Sequence, residues 1–227
     1  MAQPAQQGLY VANPRDEIAS LLPAGIRSVL EVGCGRGGFG SSLRRTYGDR
    51  ADLVAVEPVP EQAEAARAAG VWDAVHDGYF PADLPPGCGP FDLIVFNDVL
   101  EHMVEPWAAL RACHDHLVPG GRILATIPSI QYAPVLIKVA RGRWDYTDDG
   151  TLDRTHLRFF TRATMVEMFE DCGYRVDSCT GVNSVEKRWA ADPNRLRRLA
   201  KRGLARALGD ARYVQFVIVA TSLAEPS

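Results

Sequence analysis

The chain has 227 residues, 47% hydrophobic and 23% charged, which suits one large domain with its own core. A net charge of −3 gives no bulk attraction to nucleic acid, so no nucleic-acid partner is expected. The five cysteines (34, 88, 113, 172 and 179) are odd in number and form no C-x-x-C pair, which argues against a disulfide framework or a zinc site.

The amino-terminal residues lack the basic start and continuous apolar stretch of a signal peptide. No run of about 18 apolar residues follows, so a cytoplasmic protein without a membrane span is expected. The first apolar run, 28–33, reads as a buried strand, and 39–47 as a helix. A second strand covers 53–57, followed by an Ala/Glu/Gln-rich helix that Gly70 stops. A short strand is expected at 72–76, a Pro/Gly-rich connection at 81–90 and a strong strand at 91–97. Residues 105–117 read as a helix, Pro119-Gly120-Gly121 as a turn and 122–128 as a strand. A helix at 163–172, a strand at 174–180 and a last strand at 213–221 complete the pattern. Strands apolar on both faces that alternate with helices predict a mostly parallel α/β sheet covered by helices on each side.

The densest local signal is Glu31-Val32-Gly33-Cys34-Gly35-Arg36-Gly37-Gly38, between a strand and a helix. Glycines there let the backbone turn sharply and approach a ligand with no Cβ in the way. Glu57 closes the next strand, where a carboxylate can accept hydrogen bonds from ribose hydroxyls. Gly33-x-Gly35-x-x-Gly38 also satisfies the dinucleotide pattern, so the loop alone indicates an adenosine-containing ligand and leaves its identity open. Glu31 beside the loop would repel a pyrophosphate and suits a ligand bearing ammonium and sulfonium charges.

Taken in order, EVGCGRGGFG (31–40), VAVEP (54–58), HDG (76–78), FDLIVFNDVLEH (91–102) and LVPGGRILATIP (117–128) resemble the class I, Rossmann-like S-adenosylmethionine-dependent methyltransferases. The resemblance implies a three-layer sandwich around a seven-stranded sheet with the last strand antiparallel. It implies S-adenosyl-L-methionine as methyl donor and S-adenosyl-L-homocysteine as product. Gly33, Gly35 and Gly37 would line the methionine part of the donor, with Glu31 beneath them. Glu57 would bind the ribose, Asp77 the adenine amino group, and Asn97 and Asp98 would border the methionine and the transfer site. The stretch 143–174 resembles a subgroup associated with saccharide and natural-product modification, which makes a small polar acceptor such as a saccharide hydroxyl the expected substrate.

A sugar hydroxyl needs help to become nucleophilic, and histidine is the base suited to neutral pH. His102, just after the fourth strand, and His156, in the long segment after the fifth, are the catalytic candidates. For each, a structural role is the competing reading; for His156 it is a partnership with Asp153. His114 and His116 are expected at the surface, and His76 in a structural role or near the adenine. Asp145, Asp148, Asp149 and Asp153, with His156 or Asp98, offer a divalent-metal site, though a solvated acidic loop is the preferred reading and no metal is assigned.

The whole chain, 1–227, is expected to be one methyltransferase domain with two insertions. Residues 129–162 form a substrate-side insert whose Tyr132, Trp144, Tyr146, Phe159 and Phe160 either cover the acceptor or anchor the segment to the core or to a second subunit, as in a homodimer. Residues 183–211 form a basic helical insert carrying Lys187, Arg188, Arg195, Arg197, Arg198, Lys201, Arg202 and Arg206. Two other functions compete: an NAD(P)-dependent oxidoreductase, for which the chain lacks a Tyr-x-x-x-Lys pair, and a non-catalytic S-adenosylmethionine-binding module.

Overall fold

The structure is a computed structural model that describes residues 13–185, 203 and 205–224. Its centre is a seven-stranded sheet in the order β3-β2-β1-β4-β5-β7-β6. The strands are β1 (Ser28–Val32), β2 (Asp52–Glu57), β3 (Ala74–Asp77), β4 (Phe91–Asn97), β5 (Leu117–Pro128), β6 (Tyr174–Ser184) and β7 (Tyr213–Ser222). Strands β1 to β5 pair in parallel, and β7 runs antiparallel to both β5 and β6. The expected sheet, last strand included, is therefore what the chain forms.

Burial on both faces explains the continuous apolar runs. Alternate residues of a strand face opposite sides. Leu30 and Val32 join Phe96, Ile123, Met165, Phe169 and Phe216 on one face. Val29 joins Leu43, Leu53, Leu93, Val95 and Val217 on the other. Each such side chain contributes about 1.5–3 kcal/mol on burial. Helix α1 (Asp16–Ala19) is a single turn, and α2 (Gly40–Tyr47) leads from the glycine loop. Helix α3 (Pro60–Ala68) starts on a proline and stops before Gly70 at φ +65°. In α4 (Pro106–Ala112) the last expected turn tightens into a 3-10 segment at Cys113–His116. Helix α6 (Arg162–Asp171) begins at Thr161, whose side chain accepts from the Thr164 amide at 3.2 Å while the Thr164 hydroxyl accepts from the Thr161 amide at 3.0 Å.

Several expectations needed correction. Strand β3 starts at Ala74 because Trp72 turns inward beneath the glycine loop. The turn at 119–121 lies inside β5, with Gly120 at φ +69° and a register shift against β4. Residues 129–162 contain an unforeseen helix, α5 (Ala133–Ala140), whose Tyr132 neighbour and Val135 pack inward while Leu136, Ile137 and Val139 face out. His114, expected at the surface, is half-buried and fully engaged: its ring nitrogens lie 2.8 Å from Ser222 Oγ and 2.8 Å from the Cys172 carbonyl, and it stacks on Tyr174. All five cysteines are free. Among the described residues no helix is long and apolar enough to cross a membrane. Of the basic stretch only Arg206 is described, helical and exposed; the other basic residues named above lie outside the described part.

Candidate functional site

Ligands of open α/β sheets bind beyond the carboxyl ends of the strands, where the strand order reverses. Here that place lies between β1 and β4, which pair from Val29↔Leu93 to Val32↔Phe96. The loop after β1 is fixed by the Gly33 amide donating to the Val56 carbonyl at 2.8 Å. Gly33, Gly35 and Gly37 have φ of +71°, +54° and +78°, values that side-chain-bearing residues rarely adopt. A Cβ on Gly33 would stand 2.8 Å from Val99 Cγ2.

Glu57 ends β2 against this loop. Its carboxylate accepts from the Gly35 amide at 2.8 Å and from the Val59 amide at 3.0 Å, and burial raises its pKa. Each oxygen keeps a lone pair for a further donor. Asp77, opposite Glu57 in register, is largely exposed and pairs with Arg67 at 2.7 Å. Glu31 is 1% exposed, and its Oε2 has no hydrogen-bond partner. Burial pushes its carboxyl up to about 8, against an opposing hydrogen bond from Asn97. Asp98 holds φ +56°, its amide donating to Thr126 Oγ1 at 2.9 Å. The Thr126 hydroxyl has one proton to share between Asn97 Oδ1 at 2.9 Å and Asp98 Oδ1 at 2.8 Å. Glu31, Asn97 and Asp98 thus form one connected group beside the loop.

Arg15 is a residue the sequence reading missed. Its guanidinium bonds Asp98 and, at 3.0 Å, Glu17, and its Nη2 is buried without a partner. No local motif marks it, because an isolated arginine before a one-turn helix has no spacing signature. Glycines that exclude a Cβ, the orphaned Glu31 oxygen and the unpartnered Arg15 nitrogen fit a donor with an amino-acid end: an ammonium for the first acid, a carboxylate for the guanidinium.

Further out, the 3-10 turn Leu100–His102 brings Glu101 and His102 under the segment 151–158. The Leu157 and Arg158 amides both donate to the Glu101 carbonyl, at 2.8 and 3.0 Å. His156 thereby reaches His102, ring centroids 4.7 Å apart, and its Nε2 stands 4.0 Å from Glu101 Oε1. The competing partnership of His156 with Asp153 is a backbone one: the His156 amide donates to the Asp153 carbonyl at 3.1 Å, while the Asp153 carboxylate serves Thr155. Burial lowers the pKa of both histidines and so favours their neutral forms, each of which keeps a lone pair on one ring nitrogen. Glu101 was also missed. It is 1% exposed, neither carboxyl oxygen has a hydrogen-bond partner, and burial raises its pKa well above the usual range.

One ligand atom each from Glu101, His102 and His156 lies within 4.8 Å of the others, so these three could hold a cation. The four aspartates proposed for that role do not gather. Asp145 pairs with Arg143 at 2.9 Å and Asp148 with Arg154 at 2.6 Å on the surface, while Asp153 is buried against Thr155. The aromatic residues of this region divide in two. Tyr132 and Phe160 are buried anchors, whereas Trp144 and Tyr146 are exposed and lead through Phe159 to His156, with ring centroids 6.5, 5.2 and 6.3 Å apart.

A family model described as "Methyltransferase domain" matches residues 7–178. A ubiquinone biosynthesis O-methyltransferase of Xanthomonas axonopodis pv. citri is 35% identical over 186 residues, 78% of this chain and 75% of that protein. One from Xylella fastidiosa is 31% identical over 148 residues, 61% of this chain and 58% of that protein. A crystal structure of an S-adenosylmethionine-dependent methyltransferase from Archaeoglobus fulgidus superposes with a TM-score of 0.64 at 18% identity, covering 91% of this chain and 92% of the other. The fold and the loop-and-acid arrangement define a Rossmann-like methyltransferase that uses S-adenosylmethionine. The chain belongs to this methyltransferase-domain family, which removes the oxidoreductase and the non-catalytic module from consideration.

Proposed function

We propose that this enzyme methylates an oxygen of a small polar acceptor, with a saccharide hydroxyl as the first candidate, and that one of the two neutral imidazoles takes the hydroxyl proton. The bound donor supplies an electrophilic methyl on a sulfonium sulfur. Gly33, Gly35 and Gly37 leave room for its methionine part, Glu31 and Arg15 meet its charged end, Glu57 takes the ribose, and Asp77 the adenine. Asn97 and Asp98 separate this half from the acceptor half, and residues 129–162 form the acceptor side. The protein's task is alignment, and a hydroxyl within reach of His102 or His156 would be oriented as it is deprotonated.

The observation that carries this reading is the pairing of His102 with His156 just beyond Asp98. The names of the relatives support oxygen as the accepting atom. They also favour a ring hydroxyl as a second acceptor class, as do the aromatic residues leading to His156. The unpartnered oxygens of Glu101 favour a second mode of activation, a divalent cation held by Glu101, His102 and His156.

A panel of methyl glycosides and catechols, assayed with methyl-labelled donor, tests the proposal. Label on a saccharide oxygen supports the first candidate, and label only on a ring hydroxyl replaces it with the second. Label on nitrogen or sulfur alone would overturn O-methylation.

A further inference from the structure

Segment 151–158 does more than close over the site, because its hydrogen bonds determine which nitrogen of each imidazole carries the proton. His102 Nδ1 lies 3.2 Å from the Thr155 carbonyl oxygen and 3.2 Å from Thr155 Oγ1. A carbonyl can only accept, so Nδ1 must be the donor. The Thr155 hydroxyl could have opposed this by donating to Nδ1. It does not, because its single proton goes to Asp153 Oδ1 at 2.6 Å. That same oxygen accepts from the Thr155 amide at 2.7 Å, and Asp153 is buried. Asp153 therefore turns the Thr155 hydroxyl so that lone pairs face His102. His156 is held the same way by backbone alone: its Nδ1 lies 3.2 Å from the Thr151 carbonyl.

We infer that Thr155 and Asp153 are positioning residues that lock His102 with its proton on Nδ1, while the Thr151 carbonyl does the same for His156, so that both Nε2 atoms keep a free lone pair, that of His156 beside Glu101. This rests on the proposed role of the histidines and deepens it. The lock serves a base and a cation ligand equally, since either needs an unprotonated Nε2. Partners one step removed from the working atoms commonly influence activity by about 10–100-fold.

The test uses the full chain with 15N-labelled histidine and saturating S-adenosylhomocysteine, with His102→Gln and His156→Gln assigning the signals. Expected are pyrrole-type Nδ1 and pyridine-type Nε2 in both rings. Thr155→Val keeps the carbonyl and should keep His102 on Nδ1–H, whereas Asp153→Ala frees the Thr155 hydroxyl to donate to Nδ1 and should turn His102, but not His156, into a tautomer mixture that adding Thr155→Val resolves back to Nδ1–H. With catechol as probe acceptor, Asp153→Ala should lower kcat by about tenfold with KM for the donor unchanged, and adding Thr155→Val should recover it. An Nε2–H tautomer at His102 in the wild-type protein, or an Asp153→Ala protein that keeps the Nδ1–H tautomer alone, would overturn the inference. If the tautomers are as stated but His102→Gln and His156→Gln methylate at wild-type rate, the lock stands and the base and cation readings fail.

Discussion

His102 and His156 meet edge to face, with ring planes at 75°, although one follows β4 and the other lies beyond α5. Two imidazoles that close cannot both carry a proton comfortably, and burial already disfavours the charged form. A site built this way is stocked with lone pairs rather than protons. That is what an acceptor hydroxyl requires and what the departing neutral thioether does not.

Replacing either ring removes that capacity. His102→Ala and His156→Ala are each expected to lower single-turnover methyl transfer by about 10²-fold or more. Affinity for S-adenosylhomocysteine, read by calorimetry, should stay at the wild-type value. Wild-type rates in both variants would mean that the acceptor is activated elsewhere.

Chelation separates the two modes of activation. A base needs no metal, so exhaustive treatment with a chelator should leave the rate unchanged. A loss that magnesium or zinc restores, and that Glu101→Gln abolishes, would transfer activation to a cation on Glu101, His102 and His156.

Glu31 makes the donor half sensitive to pH. Its folded-state carboxyl titrates at about 8 against an ordinary value of 4.5, so between these values the folded protein holds a proton that the unfolded chain has released. Stability linked to this group is complete below pH 4.5 and is lost as pH rises through about 8. Glu31→Gln should flatten this fall, and the drop in Tm between pH 5 and pH 9 is the measurement. Binding of S-adenosylhomocysteine should release a proton near neutrality in the wild type and less in Glu31→Gln. An equal drop in Tm in both proteins would show that Glu31 is ionised in the free fold.

The donor half was readable because its signals are local. Gly33, Gly35 and Gly37 sit on one turn, and Glu57 ends the next strand, where a register of five paired residues sets it beside the loop. The acceptor half depends on contacts between distant segments. His102 and His156 could be named as suspects, but their meeting depends on the Leu157 and Arg158 amides finding the Glu101 carbonyl. Arg15 reaches Asp98 from before α1, a relation no spacing reveals. Helix α5 escaped because APVLIKVA is apolar with β-branched residues and reads equally well as a strand.

Arg15 is expected to hold the start of α1 against the site as well as to meet the donor. Arg15→Met keeps the length and removes the fork, leaving Asp98 and Glu17 without their cation. Stability should fall by about 1–3 kcal/mol, and S-adenosylhomocysteine should bind more weakly. Arg15→Lys should recover part of both, because it restores the charge without the fork. Unchanged Tm and affinity in Arg15→Met would exclude the residue from the donor site.

Gly33 offers a test with a built-in rescue. Alanine there must adopt φ +71° and place its methyl 2.8 Å from Val99 Cγ2. Positive φ and overlap together should cost about 1–3 kcal/mol and displace the loop that Glu57 steadies through the Gly35 amide. S-Adenosylhomocysteine affinity should drop by about tenfold or more, an amount that corresponds to about 1.4 kcal/mol. Adding Val99→Ala removes the overlap but not the backbone strain, so the double variant should recover part of the affinity. Should Gly33→Ala bind as tightly as the wild type, the donor does not lie against this turn.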